Sequence, residues 1–205
     1  MAPDAPEAPA RDGDPRLPRP VLGQALDLTS EVGLEGLTLG VLAQRVQMSK
    51  SGLYAHFASK EVLQRDVLDT AAARFVDVVI APALKRPRGL PRIELLFEGW
   101  LRWGTEELTG GCPFVAAAAD FDDRPGMVRD RLIGHLKDML GTVSRSARIA
   151  VEEGHFRADL DTDQFAYEMW GLLVAYQHYR RLLGDPASIR RAHIAFRGLI
   201  DHSTR

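Results

Sequence analysis

Residues 38–60 read TLGVLAQRVQMSKSGLYAHFASK, the pattern of two short helices joined by a tight turn. Their charged residues are Arg45, Lys50 and Lys60, with His56 able to add a proton, and the segment contains no Asp or Glu. The whole chain, by contrast, has a formal net charge of −2. A compact cationic segment in such a chain suits docking against a phosphate backbone. We therefore predict a helix-turn-helix.

Length and composition describe an ordinary soluble protein of one or two domains. The 205 residues are 45% hydrophobic and 26% charged, and no apolar run approaches the roughly 18 to 20 residues of a membrane span. The single Cys112 excludes an intramolecular disulfide, and the N-terminus lacks the basic-then-apolar order of a secretory signal. We expect a cytoplasmic protein without a membrane segment.

Capping residues divide this region into helices. A first helix should end at Gly33, and Thr38 is placed to cap the next one. Ser49 should cap a helix that runs through Phe57, and Ser59 a further, longer helix. Three caps at such short spacing favour a bundle of short helices at the N-terminal end.

The outward face of the helix after Ser49 carries side chains that can read a major groove. They are an ammonium, a hydroxyl, a phenol and a methyl group, at Lys50, Ser51, Tyr54 and Ala55. The helix N-terminus at Lys60 would attract phosphate. The alternative is a helical hairpin with a merely solvated polar face. The predicted DNA-binding residues are Thr38, Ser49, Lys50, Ser51, Tyr54, Ala55, His56 and Lys60.

The sequence EGLTLGVLAQRVQMSKSGLYAHFASKEVL resembles the DNA-binding domain of the TetR/AcrR family of transcriptional regulators, over residues 20–68. The resemblance implies that Lys50, Ser51 and Tyr54 meet base edges or adjacent phosphates. It likewise implies backbone contacts for Tyr54, His56 and Lys60.

Three residues depart from the family pattern. Gly40 stands where many relatives have a polar or basic side chain. Gln47 replaces the usual turn glycine, which costs about 1 kcal/mol if the left-handed conformation is kept. Ala55 replaces a commonly larger residue. The operator preference therefore does not carry over from relatives.

The periodicity predicts an all-α fold in two domains after a disordered tail. Residues 1–15 are rich in Pro, Ala, Asp and Gly, and we expect them to be disordered. Residues 16–68 would form a three-helix DNA-binding domain and residues 69–205 a larger helical one. The resemblance implies that the larger domain binds a small molecule and that its last two long helices form a homodimer.

Aromatic and thioether side chains in residues 69–205 are of the kinds that line apolar pockets. Core or dimer packing is the alternative for each of them alone. The predicted ligand-binding residues are Trp100, Trp103, Cys112, Phe114, Phe121, Met127, Trp170, Tyr176 and, as a polar group, His178.

Catalytic and metal-binding patterns are weak. Asp120, Asp122 and Asp123 could suggest metal or acid/base chemistry, but an Asp before Arg-Pro favours a helix cap, here at Asp123. The histidines do not follow a zinc-site spacing, and no phosphate-loop motif occurs. We expect no enzyme activity, no metal and no cofactor.

Together these features predict a dimeric, ligand-responsive transcription factor, a repressor by the family's majority outcome. It would bind a palindromic operator in double-stranded DNA and be released by a small apolar or aromatic effector. The alternative function is a helical small-molecule-binding protein or enzyme without a DNA function.

Overall fold

The structure is a computed structural model, and it describes residues 19–204. This part of the chain is helical without a strand, as predicted; the predicted disordered tail at residues 1–15 lies outside the described residues. The α-helices are α1 Arg19–Val32, α2 Leu39–Val46, α3 Lys50–Tyr54, α4 Lys60–Phe75, α5 Ala81–Leu84, α6 Leu90–Arg102, α7 Pro113–Phe121, α8 Met127–Glu152, α9 Thr162–Arg181 and α10 Ser188–Thr204. Two π-helical turns, Val76–Ile80 and Trp103–Glu107, follow α4 and α6.

The three predicted caps of the N-terminal helices are confirmed. The hydroxyl oxygens of Thr38, Ser49 and Ser59 each accept a hydrogen bond from the backbone N–H three residues on, at 3.1, 3.1 and 3.3 Å. Each hydroxyl satisfies one of the N–H groups that a helix start leaves without a partner. The starts of α2, α3 and α4 are thus set by local sequence.

The turn between α2 and α3 uses a left-handed residue that is not glycine. Gln47 has φ 55°, and the N–H of Met48 bonds to the carbonyl of Ala43 at 3.1 Å. Helix α3 is shorter than predicted, because it ends at Tyr54 rather than Phe57. The N–H groups of residues 56 and 57 both bond to the Leu53 carbonyl, which tightens the last turn.

Helix α4 joins the N-terminal helices to the rest of the chain. It is continuous across residues 68 and 69, so the two predicted domains share it. Its buried face carries Leu63, Val67, Leu68, Ala71 and Phe75. The π-helical turn after Phe75 continues the same rod into α5.

The C-terminal helices pack in chain order, α8 against α9 and α9 against α10. Helix α8 ends at Glu152, and Gly154, whose φ is 73°, turns the chain away from it. The buried Phe156 donates its N–H to the carbonyl of Ala150 at 3.1 Å. The prediction that Asp123 caps α8 is wrong. The helix begins at Met127 after Gly126, whose φ of 142° suits glycine and breaks the helix there. Within residues 19–204, no helix is long and apolar enough to cross a membrane.

Candidate nucleic-acid interface and ligand site

The first candidate surface is the outward face of α3. Lys50, Ser51, Tyr54 and Ala55 are all exposed there, and the Tyr54 ring is 59% exposed. The Ser49 and Ser51 hydroxyl oxygens lie 3.2 Å apart. His56 is half-buried just beyond the helix. The structure therefore places these predicted DNA-binding residues together at one end of the N-terminal helices.

Gly40 makes room for the Lys50 side chain. A Cβ atom at Gly40 would lie 3.3 Å from Lys50 Cε and 3.6 Å from Lys50 Nζ. The departure from the family pattern at Gly40 thus has a steric counterpart on α3. Sequence spacing did not reveal this pairing, because the two residues lie on different helices.

Lys60 forms hydrogen bonds to the loop before α2. Its Nζ donates to the Glu35 carbonyl at 2.8 Å and to Glu35 Oε1 at 3.1 Å. These bonds, together with Arg124 at 3.3 Å from Glu35 Oε2, lower the pKa of Glu35. An ammonium group has three donors, so one N–H of Lys60 remains for a phosphate.

Acidic side chains from α1 and the following loop balance part of the cationic segment. Arg45 pairs with Glu31 at 3.1 Å and Lys60 with Glu35 at 3.1 Å. Lys50 has no carboxylate within 4 Å among the residues that the structure describes. Lys50 is therefore the lysine of the 38–60 segment whose charge is free to act on a ligand.

The second candidate site is an aromatic cluster built around Phe75 of α4. Its ring meets three others edge-on, with centroid distances of 4.8 Å to Trp100, 5.5 Å to Trp103 and 6.5 Å to Phe114. Trp170 of α9 lies 5.8 Å from Trp100. The structure thus joins four of the predicted ligand-binding residues. Phe75 was missed because helical periodicity marks it only as one position in the apolar stripe of α4.

Cys112 is buried where α7 begins, and its backbone is held on both sides by one side chain of α9. Its N–H donates to Gln177 Oε1 at 2.8 Å, and Gln177 Nε2 donates to its carbonyl at 3.1 Å. Burial raises the pKa of the Cys112 thiol, so the group stays neutral near pH 7.

The other predicted ligand-binding residues lie outside the cluster around Phe75. Phe121 is buried at the end of α7, with the Arg124 guanidinium 5.9 Å from its ring centroid. Met127 is 48% exposed at the start of α8, and His178 is exposed on α9. Tyr176 lies in the groove between α9 and α10. The aromatic cluster is therefore smaller than the predicted set.

Hydrogen bonds join α1 to the segment that carries Cys112. The Gly110 N–H donates to Ser30 Oγ at 3.0 Å, and Arg181 Nη1 donates to the Ser30 carbonyl at 2.9 Å. The backbones touch so closely that a Cβ at Gly110 would lie 1.7 Å from the Ser30 carbonyl oxygen. We call Ser30, Gly110 and Arg181 the joint.

Helices α9 and α10 present a mostly apolar groove of about 140 Å³ to solvent. Its lining includes Leu172, Ala175, Tyr179 and Ala195. Leu172 and Ala195 also line a second groove beside it, together with Gly171 and Gly198. These small and apolar residues leave room for another helix to approach.

Asp120, Asp122 and Asp123 lie at the end of α7 and directly after it. No group of three or more His, Cys, Asp or Glu side chains that could hold a metal ion occurs among residues 19–204. The acidic residues at positions 120, 122 and 123 therefore do not form such a cluster.

Comparison with known families gives two matches that together cover most of the chain. Residues 89–196 match the family described as tetracyclin repressor-like, C-terminal domain. Residues 21–67 match the family described as bacterial regulatory proteins, tetR family. A curated relative is similar over the N-terminal helices: the class A tetracycline repressor protein from transposon 1721 of Escherichia coli is 46% identical over 46 residues. That match covers 22% of this chain and 21% of the repressor.

Solved structures share the fold over nearly the whole chain. A TetR transcriptional regulator from Chloroflexus aurantiacus is 22% identical, with a TM-score of 0.79 over 91% of this chain and 93% of that one. AibR, solved in complex with isovaleryl coenzyme A and operator DNA, is 18% identical, with a TM-score of 0.69 over 89% and 95%. At these identities the likeness establishes the fold.

Proposed function

Since the chain belongs to the TetR family of ligand-responsive transcriptional regulators, we propose that it is a homodimeric repressor of a palindromic operator, released by a small, largely apolar effector. The proposal rests above all on the exposed face of α3. Its ammonium, hydroxyl and phenol groups stand clear of acidic side chains and are fixed by the Ser49 cap.

The contacts proposed for DNA fall into two classes. Lys50, Ser51, Tyr54 and Ala55 would face base edges or nearby phosphates in the major groove. Thr38, Ser49, His56 and Lys60 flank them, and backbone N–H groups at the starts of α2, α3 and α4 would receive phosphate oxygens. The first class would set sequence preference and the second would set affinity and its salt dependence.

The proposed dimer forms through α9 and α10. Small and apolar residues make up most of the lining of their grooves, beside Arg191, Glu168 and His202. A twofold partner with the same surface would fill these grooves in a four-helix arrangement. A twofold axis would present two copies of α3 to half-sites about one DNA turn, or a modest extension of it, apart.

The proposed effector site is the aromatic cluster around Phe75. Two connections would carry the effect of a bound effector from this cluster to the candidate DNA surface. Helix α4 runs from Lys60 at the candidate DNA surface to Phe75 in the cluster. The joint links the segment that ends in Cys112 to α1. Any shift in DNA affinity must equal the difference in effector affinity between the two conformations.

Footprinting on the DNA beside the protein's own coding sequence tests the proposal. We expect a protected region with two symmetric halves. A thermal-shift screen of aromatic and lipophilic compounds should then yield a ligand that removes the protection.

A compound that stabilises the protein but leaves the footprint intact would contradict release by the effector. A protein that protects no DNA under low salt would contradict the DNA-binding role. It would instead favour a small-molecule-binding protein.

A further inference from the structure

Two buried indole groups in the aromatic cluster lack a protein acceptor. Trp100 is 4% exposed and Trp103 is fully buried, and neither Nε1–H makes a hydrogen bond to the residues that the structure describes. Buried donors are rarely left without an acceptor in native folds. Each one left unpaired destabilises the folded state, because the donor has lost its hydrogen bond to water. Two such donors in one cluster therefore call for an explanation.

Both donors lie near the Cys112 thiol. Trp100 lies one helical turn before Trp103, the first residue of the second π-helical turn. Burial raises the pKa of the Cys112 thiol, and the nearby indole N–H groups of both tryptophans oppose that rise. The backbone N–H groups of Phe114 and Val115, at the start of α7, do so as well. A neutral thiol is only a weak acceptor. The two indole N–H groups therefore lie beside a weak acceptor and make no hydrogen bond to an oxygen atom of the described residues.

The surroundings favour a neutral acceptor over an anion. Aromatic rings form the walls, and a carboxylate buried there without a cation would carry a large desolvation cost. The adjoining polar side chains are already engaged. Gln177 bonds to the Cys112 backbone, and His135 Nε2 lies 2.7 Å from Asp69 Oδ1.

We propose that the indole N–H groups of Trp100 and Trp103 bind the carbonyl oxygen of the effector, which is a small apolar or aromatic ketone, ester, thioester or amide. This rests on the proposed function, which it deepens by naming the effector's chemical class. The carbonyl oxygen accepts two hydrogen bonds, one on each lone pair. The apolar remainder of the molecule packs against Phe75, Phe114 and Trp170.

Binding at this position acts on the joint. The acceptor lies beside Cys112, two residues from Gly110, whose backbone touches Ser30 of α1. Gln177 holds both the N–H and the carbonyl of Cys112. A displacement of the thiol to admit the carbonyl therefore passes into the contact with α1.

Nuclear magnetic resonance of the ¹⁵N-labelled full chain tests the proposal, because its three tryptophans give three indole signals. The probes are 1-indanone and indane, which share a fused ring skeleton and differ in the carbonyl group. We expect 1-indanone to move the Trp100 and Trp103 indole protons downfield, as a new hydrogen bond does. Indane should leave both without a downfield shift and bind about five- to tenfold more weakly.

Variants that remove one indole N–H identify the donors. Trp100→Phe and Trp103→Phe should each lower the affinity for 1-indanone about fivefold and leave the affinity for indane within about twofold. Trp170→Phe is the matched control, since Trp170 borders the cluster but is not one of the two unpaired donors. It should affect both probes alike. If a variant fails to fold, the indole signals of the unaltered protein with the two probes still test the proposal.

Three results would overturn the proposal. One is equal affinity for 1-indanone and indane, and another is the absence of any downfield indole shift up to the solubility limit of 1-indanone. The third is a pair of indole protons that already lie downfield without a probe and exchange magnetisation with a bound water. DNA protection measured on the same protein is independent of all three. A failure here is thereby distinguished from a failure of the proposed function.

Discussion

The N-terminal helices carry their chemistry on the surface, whereas the C-terminal helices carry it in the interior. The face of α3 is exposed and cationic, and three local caps fix it. The aromatic cluster is buried and assembled from α4, α6, α7 and α9, which are distant in the chain. A recognition surface can thus be built from local sequence, but a pocket depends on long-range packing. The joint is a direct contact between the two regions, so a displacement in one of them can reach the other there.

The largest expected effect comes from filling the close contact in the joint. Gly110→Ala would place a Cβ 1.7 Å from the Ser30 carbonyl oxygen, so backbone atoms of α1 or of residue 110 must move. We expect a loss of about 3 kcal/mol or more in the free energy of unfolding, measured by urea denaturation. DNA binding should weaken along with it.

Gly134→Ala is the matched control for that change. A Cβ at Gly134, inside α8, would meet no atom within 4 Å, so the same substitution should raise stability by about 1 kcal/mol. If both variants were equally stable, the contact between α1 and the Cys112 segment would not be as close as described.

A second prediction concerns the proposed dimer surface. Ala195→Glu places a carboxylate where both grooves between α9 and α10 meet. Arg191 of the same groove is already bonded to Asp185 at 2.9 Å, so burying the new charge should weaken the dimer by about 2 to 3 kcal/mol, measured by sedimentation equilibrium. Ala73→Glu is the control, because Ala73 is exposed on α4. A dimer that tolerates Ala195→Glu as well as Ala73→Glu would have to form through another surface.

The N-terminal region was the more predictable because its signals are short-range. The caps at Thr38, Ser49 and Ser59 and the left-handed turn at Gln47 each depend on a few neighbouring residues. The α3 end was wrong by three residues, since bifurcated bonding to Leu53 is not visible in periodicity.

Ion pairs and ring contacts were harder to predict because they join distant parts of the chain. Glu35 meets Lys60, 25 residues later, from outside the acid-free segment. Phe75 looked like any other member of an apolar stripe, yet it touches three rings of the cluster. Composition selected aromatic and thioether side chains, but it could not tell the buried Trp103 from the half-exposed Met127.

A third, smaller effect is expected at the surface of α3. Lys50→Ala removes the ammonium that fills the space beside Gly40, and it should weaken operator binding by about 1 to 2 kcal/mol. Fluorescence anisotropy with labelled DNA measures the change. Lys137→Ala removes the same charge from an exposed position on α8 and should leave affinity unchanged. Equal weakening by both variants would indicate general charge attraction rather than contact by α3.

The smallest predicted effect is at the turn, where one substitution should act with opposite signs. Gln47→Gly relieves a left-handed conformation with φ 55° and should stabilise the protein by about 1 kcal/mol. Gln44→Gly, at an exposed position inside α2, should destabilise it by about the same amount. Thermal unfolding of the two variants measures both. Destabilisation by Gln47→Gly would contradict the left-handed turn.

Sequence preference at the α3 surface can be measured from the dissociation constants of two DNAs, the palindrome beside the coding sequence and a shuffled DNA of equal composition. Both constants are determined at several salt concentrations. We predict that both complexes weaken steeply with salt and that the palindrome binds at least about 10³-fold more tightly at physiological salt. Coincident curves for the two DNAs, or no binding to either, would contradict DNA binding with sequence preference by the α3 surface.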